Sequence, residues 1–305
     1  MRVQILLSLL IAITTIAAQQ PAPAPPPLIK ENATQKISEH VYAISDGNVP
    51  AVPNVGIIVG GRATLVVDTG LGPRNGETVA REVAKVSKNS ELYLVATHFH
   101  SEHALGEAGF PATAKVIRAR AQQRDMDESG VAPNFSTRSP VHAELMKDAK
   151  YRRADELFDN ERTLDLGGVR VRLLWYGGTH TNGDTLVFVE GDRVLLAGDV
   201  VMNRRYLAFN SPAASVRSWI SVLDKLSPLA PTRIVPSHGE MGDGTLIETN
   251  RAYLKDLQTR VGALKREQKT VEEVTTAVTA ELRQKYPNWT GNPAAAIQSA
   301  FKEAN

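Results

Sequence analysis

Short apolar runs recur along this chain, and several of them end abruptly in a polar or charged residue. Four examples are "LVVDTG" at 65–70, "LYLVATHFH" at 92–100, "LLAGD" at 195–199 and "IVPSHGE" at 234–240. Runs of this length and composition predict buried strands. Stretches with helical periodicity lie between them, for example Val79, Val83 and Val86. The pattern predicts an α/β protein whose functional groups lie on loops at strand ends.

Two glycine-containing turns and several helices complete this prediction. Gly60-Gly61 and Gly191-Asp192 each separate two apolar runs and predict turns between neighbouring strands. Residues 120–160 are polar with helical propensity, which predicts a helical insertion or covering segment. Apolar residues recur at helical spacing beyond residue 245. They are Leu254, Leu257, Val261 and Leu264, followed by Val271, Val274, Val278 and Leu282.

The N-terminus has the features of a secretory signal peptide. Arg2 precedes an apolar stretch, and Ala17-Ala18 offers small residues for cleavage. The stretch is too short to span a bilayer comfortably, which favours a cleaved peptide over an uncleaved anchor. The prolines that follow favour an extended tether. We expect a signal peptide at 1–18, a linker at 19–35 and a domain at 36–305, in a periplasmic or secreted protein without stable membrane insertion after cleavage.

Composition excludes several classes of function. The chain has no cysteine, so it has no disulfide, thiol nucleophile or thiolate metal ligand. The formal net charge is +2, and no basic run with interleaved aromatic residues occurs. Nucleic-acid binding is therefore not expected, and we expect a small molecule as the partner. Nothing in the sequence indicates an oligomeric state.

Histidines are concentrated in the segment "THFHSEH" at residues 97–103, and five of the seven histidines follow apolar runs. Together with two carboxylates they form a candidate metal-ligand set: His98, His100, Glu102, His103, His180, Asp199 and His238. Imidazole is a common zinc ligand, and a catalytic zinc uses about three protein ligands plus a water. Seven groups suit two ions, although one ion remains an alternative. In an extended segment His98 and His100 point to the same side.

The same segment resembles the H-x-H-x-D-H signature of the metallo-β-lactamase-fold hydrolases. "VVDTG", "GGTHTNGD", "LLAGD" and "PSHGE" resemble the family's first, third, fourth and fifth motifs, in the same order. The resemblance implies a four-layer αββα sandwich with the site along one edge of two facing sheets. It is greatest to the exported branch that includes glyoxalase II-like enzymes and quinoprotein relay system zinc metallohydrolases.

This resemblance also implies a role for each residue. The first zinc would be held by His98, His100 and His180, the second by Glu102, His103 and His238, with Asp199 bridging both. Asp68 would support the site without touching metal, or would simply form the turn before Gly70. Thr181 and Asp184 would have structural roles. Asp199 stands where some true β-lactamases carry cysteine or serine.

Glu102 departs from the family pattern, which usually has Asp at this position. Glu is longer by one methylene, about 1.5 Å, and a misplacement of about 1 Å can cost about 100-fold in rate. Glu102 would bind the second metal after a small backbone adjustment, act as general base on its water, or leave the second site weak. We expect metal binding, because every other ligand is present.

The sequence therefore predicts an exported zinc-dependent hydrolase that uses a metal-bound hydroxide on a lactam, lactone, ester or thioester, with Glu102 and Asp199 as catalytic residues. Three alternatives remain: a β-lactamase proper, an iron-dependent redox enzyme on the same fold, and a non-catalytic binding protein with a degenerate site. Substrate choice is expected to depend on residues 46–54, 119–160 and 203–215, which carry no recognisable motif.

Overall fold

The computed structural model describes residues 25–130, 139–147, 149–209, 211–212 and 214–304. Within these ranges, twelve strands form two sheets. The first sheet contains, in spatial order, β1 (Thr34–Lys36), β2 (Val41–Ile44), β3 (Val55–Val59), β4 (Ala63–Val67), β5 (Glu91–Val95), β6 (Lys115–Ala119) and β7 (Glu156–Phe158). The second contains β12 (Arg233–Pro236), β11 (Val194–Gly198), β10 (Leu186–Val189), β9 (Arg170–Leu174) and β8 (Glu161–Asp165).

Both sheets mix parallel and antiparallel pairs. In the first sheet β4, β5, β6 and β7 run parallel, while β1 to β4 are antiparallel neighbours. In the second sheet only the pair β11 and β12 is parallel among the described strands. The carboxyl ends of parallel neighbours lie at the same edge of a sheet. Loops that follow β4, β5, β11 and β12 are therefore brought to one edge of the sandwich.

Eight α-helices, α1 to α8, occur in the described part of the chain. Their bounds are Pro73–Val86, Ser101–Ala104, Arg120–Ser129, Pro140–Leu145, Val216–Leu226, Thr245–Arg266, Val271–Lys285 and Ala294–Glu303, in chain order. Helix α1 packs on the outer face of the first sheet. Helices α5 to α8 pack together on the outer face of the second.

Side chains point alternately to the two faces of each sheet, and both faces are covered, which produces the four layers. On β4, Leu65 and Val67 lie in the core between the sheets, whereas Val66 packs towards α1. On β11, Leu196 lies in the core between the sheets and Leu195 packs towards α5. Both faces of these strands are buried, which explains why their sequences are continuous apolar runs. The expected αββα sandwich is confirmed.

The contacts of Gly60 show why glycine is required at one of the predicted turns. It lies in the loop between β3 and β4, which form the expected antiparallel hairpin. A Cβ atom at Gly60 would lie 2.2 Å from the backbone oxygen of Leu166. The loop hydrogen-bonds across the sandwich to that segment, since Arg62 N donates to Leu166 O at 2.9 Å. Close approach of two backbones therefore requires glycine here.

Residues 120–160 differ in part from the predicted helical insertion. Helices α3 and α4 lie within this range, but it also supplies β7, which pairs in parallel with β6 at the edge of the first sheet. A three-residue edge strand carries too little periodicity to be recognised from sequence. Residues 131–138 and residue 148 lie outside the described residues.

The later part of the predicted linker, residues 19–35, contacts the domain. Ile29 is 5% exposed and packs in the core beneath α1. Asn75 of α1 accepts a hydrogen bond from Ile29 N at 2.8 Å and donates to Pro27 O at 2.9 Å. Glu82, also on α1, accepts two further hydrogen bonds from this segment. The residues after the proline run are thus attached to the first sheet's helix.

The predicted signal peptide at residues 1–18 lies outside the described residues. In the part of the chain that the structure describes, no helix combines the length and the apolar character needed to cross a bilayer.

We expect Asn75→Ala to lower the free energy of unfolding by about 1–3 kcal/mol, because it leaves buried backbone groups of Pro27, Ile29 and Leu71 unpaired. Denaturant titration measures this change. Glu77→Ala is the matched control, because Glu77 is exposed on the same helix. An unchanged midpoint for Asn75→Ala would show that the attachment of residues 27–29 contributes nothing to stability.

Candidate metal centre

All seven predicted metal ligands meet at one edge of the sandwich. His98 and His100 follow β5, and Glu102 and His103 lie on α2 directly after them. The other three ligands follow strands of the second sheet: His180 lies between β9 and β10, Asp199 follows β11 and His238 follows β12. Six of the seven are buried, and His100 is half-buried. The two sheets therefore contribute four and three groups to one cluster.

Three ring nitrogens converge in the first group. His98 Nε2 lies 3.0 Å and His180 Nε2 lies 3.2 Å from His100 Nδ1. All three atoms fall within 4.8 Å of one another. This is the set that the sequence assigned to a first ion.

A second group adjoins the first. Candidate ligand atoms of Glu102, His103 and His238 lie within 4.8 Å of one another, and so do those of His98, His103 and Asp199. One Asp199 oxygen is also 3.4 Å from His180 Nε2. Asp199 therefore lies between the two groups, where the predicted bridging ligand should be.

Hydrogen bonds on the far side of the rings fix which nitrogen carries the proton. His180 Nδ1 lies 2.7 Å from Ala208 O and His238 Nδ1 lies 3.0 Å from Val52 O. A carbonyl oxygen can only accept, so in both rings Nδ1 donates and Nε2 presents a lone pair to the cluster. In His103 the Nδ1 atom likewise faces an acceptor, the Asp68 carboxylate at 2.9 Å, so its Nε2 atom faces the cluster.

His98 completes this pattern through Thr97. The Thr97 hydroxyl donates to Asp68 Oδ2 at 3.0 Å, so it accepts from His98 Nδ1 at 3.2 Å. The Nε2 lone pairs of His98 and His180 therefore both face His100 Nδ1, where one proton can satisfy only one of them. Converging lone pairs repel one another unless a cation lies between them.

Buried polar atoms without hydrogen-bond partners point to the same place. Among the described residues they include His103 Nε2, Glu102 Oε2 and Asp199 Oδ1. A buried polar atom that lacks a partner costs about 1–3 kcal/mol. All three atoms belong to the candidate ligands, and their chemistry is that of nitrogen and oxygen donors for zinc. The residues present therefore fit metal ions.

Charge within the cluster shifts the pKa of several ligands. Burial, followed by the neighbouring imidazoles, lowers the pKa of His98 well below its usual value and that of His100 to about 3. Burial also lowers the pKa of His103, but the Asp68 carboxylate outweighs it and raises that pKa to about 9. Burial raises the pKa of Asp199, but the surrounding histidines hold it below its usual range. The carboxylates that attract a proton to His103 attract a metal cation for the same reason.

Asp68 hydrogen-bonds to residues that carry or adjoin the candidate ligands, and it also forms the turn before Gly70. Its carboxylate accepts hydrogen bonds from Thr97 N at 2.7 Å, His103 Nδ1 at 2.9 Å and Ser237 Oγ at 3.1 Å. Its φ of 63° lies in the left-handed region that turns use. Asp68 therefore forms the predicted turn and contacts His103 without belonging to any of the candidate ligand groups.

Asp184 holds the loop that carries His180, as the sequence predicted. Its buried carboxylate accepts hydrogen bonds from the backbone and hydroxyl groups of Thr179 and Thr181 on either side of that histidine. Burial raises the pKa of Asp184 above its usual value, and the opposing effects of His180 and of these threonine donors offset only part of that rise.

Sequence reasoning did not identify the residues that hold the His238 loop. Asn54 donates to Pro236 O at 2.9 Å and to Gly239 O at 2.8 Å. Asp46 accepts from Gly239 N at 2.7 Å. A buried asparagine between two valine-rich stretches was a weak signal for such a role, and its partners lie far along the chain.

Five of the seven candidate ligands, namely His100, Glu102, His180, Asp199 and His238, line an open cleft of about 1280 Å³. Its walls come from three segments that the sequence named as substrate loops, 46–54, 119–160 and 203–215, and also from residues 288–290. The last segment, between α7 and α8, was not anticipated. The cleft is large enough to admit a small organic substrate beside the candidate metal ligands.

Comparison with known proteins identifies relatives of this fold. The sequence profile of the metallo-beta-lactamase superfamily matches residues 49–238. A metallo-beta-lactamase type 2 from Bacteroides fragilis is 22% identical over 201 residues, covering 65% of this chain and 73% of the relative.

Solved structures agree at the level of fold. A metallo-beta-lactamase from Pontibacter korlensis is similar with a TM-score of 0.59 and 19% identity, covering 73% of this chain and 98% of that one. A double mutant of a sec-alkyl sulfatase is similar with a TM-score of 0.67 and 15% identity, covering 89% of this chain and 50% of that one.

We expect Asp68→Asn to weaken zinc binding by about 10–100-fold, because it disrupts the orientation of His103 and Thr97. Competition with a coloured chelator measures the affinity. Asp192→Asn is the matched control, since Asp192 also pairs with a histidine, His40, at 2.8 Å but contacts no candidate ligand. Equal losses in the two variants would contradict this role for Asp68.

Proposed function

From the premise that the chain belongs to the metallo-beta-lactamase superfamily, we propose that it is an exported zinc-dependent hydrolase of a carbonyl substrate. Superfamily membership suggests metal-dependent hydrolysis in general terms. The observation that carries the finer proposal is the convergence of histidine ring nitrogens and unpartnered carboxylate oxygens beside the cleft.

Two ions are proposed, with the ligand sets that the geometry groups together. The first would be held by His98, His100 and His180, and the second by Glu102, His103 and His238. Asp199, whose atoms lie close to both sets, would bridge them. Bound zinc supplies Lewis acidity and lowers the pKa of water to near 7.

The protein's own side chains would orient the metal ligands and supply negative charge. The hydrogen bonds donated by Nδ1 of His103, His180 and His238 orient these rings so that their Nε2 atoms would face the ions. Glu102 and Asp199 supply the negative charge that orients water, and Asp199 remains ionised throughout the neutral range. The substrate would enter from the cleft formed by the loops around residues 46–54 and 203–215.

Glu102 is proposed as a metal ligand in spite of its extra methylene. Its Oε1 lies 3.9 Å from His103 Nε2, and its Oε2 is buried without a partner. The side chain therefore already reaches the group it would share with His103 and His238. The grouping of Glu102, His103 and His238 ligand atoms within 4.8 Å of one another supports binding over the two other roles considered, general base and vacant second site.

Hydrolysis of β-lactams is the second candidate, because the curated relative from Bacteroides fragilis is named a metallo-beta-lactamase. Since the two sequences are 22% identical, the name supports β-lactams as members of a test panel. Lactones, esters and thioesters complete the panel on chemical grounds.

We expect protein purified from its native host to contain about two zinc ions per chain. Chelation should abolish hydrolysis of at least one panel compound, and added zinc should restore it. Elemental analysis and a panel of β-lactams, lactones, esters and thioesters are the measurements. Iron in place of zinc would favour the redox alternative. Bound zinc without turnover of any compound would favour the binding protein.

We expect Glu102→Gln to weaken the second zinc by at least about tenfold while the first remains bound, because the variant loses a charged ligand. Calorimetric zinc titration with elemental analysis measures this. Glu128→Gln is the matched control, since Glu128 lines the same cleft on α3 and should leave both ions in place. Two tightly bound ions in Glu102→Gln, with turnover lost, would instead assign Glu102 as a general base.

A further inference from the structure

His100 differs from the other four histidines of the candidate metal centre in how its ring is held. In each of the other four rings the Nδ1 atom faces a hydrogen-bonding oxygen; these residues are His98, His103, His180 and His238. His100 instead directs Nδ1 into the cluster, and no hydrogen bond of its Nε2 atom to a described residue is present. The orientation of its ring therefore depends on the backbone beside it.

The backbone beside His100 is held by the hydroxyl of Tyr151, which donates to Phe99 O at 2.6 Å. Among the described residues, this hydroxyl is the only hydrogen-bond donor to that carbonyl. Phe99 and Tyr151 are both half-buried and pack against the buried residues around Met126. The Phe99 ring lies 4.9 Å from that of His100, centroid to centroid. Tyr151 thus holds the residue that separates His98 from His100.

Tyr151 belongs to the segment 149–155, which is fixed to the first sheet. Arg152 Nη2 donates at 2.6 Å to the backbone oxygen of the residue before β6, and Arg152 O accepts from Arg118 Nη1 at 2.5 Å. Arg118 is fully buried near the end of β6 and forms an ion pair with the equally buried Glu107. Breaking such a pair would leave an uncompensated buried charge, which is strongly unfavourable. The Tyr151 hydroxyl is therefore presented from a rigid support.

We propose that Tyr151 is a positioning residue for the first metal ion, and that its hydroxyl orients His100 through the Phe99 carbonyl. The Phe99 carbonyl and the His100 nitrogen belong to one planar peptide unit, so a bond that fixes the carbonyl also limits rotation of the chain at His100. This inference rests on the proposed function, since it concerns the same metal centre. It gives residues 149–155 a role besides the substrate choice that the sequence led us to expect there.

The test uses Tyr151→Phe, which removes the hydroxyl and keeps the ring. We expect the first zinc to bind about tenfold more weakly, because groups that orient a metal ligand commonly change affinity by about 10–100-fold. Competition of the zinc-loaded protein with a chelator measures the affinity of each ion. Tyr93→Phe is the matched control, since Tyr93 is half-buried on β5 and its hydroxyl donates to Glu91 at 2.5 Å. This control should bind both ions as the parent does.

A double-mutant cycle assigns the loss to His100. In a His100→Ala background, adding Tyr151→Phe should cause no further loss of zinc affinity. The visible absorption bands of bound cobalt(II) depend on ligand geometry, so they should shift in Tyr151→Phe and stay unchanged in Tyr93→Phe. An equal loss with and without the His100 side chain would overturn the proposal. A lowered unfolding midpoint with unchanged zinc affinity and cobalt bands would also overturn it, because the hydroxyl would then serve the fold alone.

Failure of the proposed function gives a distinct result. If the parent binds zinc but hydrolyses no ester, lactam, lactone or thioester, the hydrolase proposal fails, while the comparison of zinc affinities still decides the role of Tyr151. If the parent hydrolyses a compound and Tyr151→Phe binds zinc as tightly as the parent, only the role of Tyr151 fails. If the parent binds neither zinc nor cobalt, both proposals fail.

Discussion

The carboxylate of Asp68 is the contact on which the arrangement of the centre depends. It joins the end of β4 to the loop after β5, to α2 and to the loop after β12 through Thr97, His103 and Ser237. Three backbone segments from two sheets thus share one buried anion. Placing Asp68 there requires a left-handed backbone conformation, which costs on the order of 1 kcal/mol. The hydrogen bonds that result offset this cost.

Much of the site was predictable because each ligand carries a local signal. His98, His180, Asp199 and His238 each follow a short apolar run, and the strand order brings those ends to one edge. The fold layers were predictable for a similar reason, since fully apolar strands imply sheets covered on both faces. Glu102 was recognised as unusual from sequence, but its reach towards His103 required coordinates.

What the sequence did not reveal depends on partners that are distant along the chain. Asn54 holds the His238 loop, and the carbonyl of Ala208 orients His180, yet neither has a local pattern that marks it. Backbone carbonyls carry no sequence information at all. The contact between Thr290 and residues 204–206 was equally hidden from sequence, because it joins two irregular loops that are about one quarter of the chain apart.

Thr97 connects the two sheets at the edge that carries the candidate ligands. Its backbone oxygen accepts a hydrogen bond from Thr185 N at 2.6 Å, across the gap between the sheets. Gly198, with φ of 57°, approaches it so closely that a Cβ atom there would lie 2.9 Å from the Thr97 Cβ. The two sheets therefore touch backbone to side chain at the ligand-bearing edge. Sliding of one sheet over the other, which would separate histidines contributed by different sheets, is opposed at that edge, and the hydrogen bonds between the Gly60 loop and Leu166 oppose it at the other end of β4.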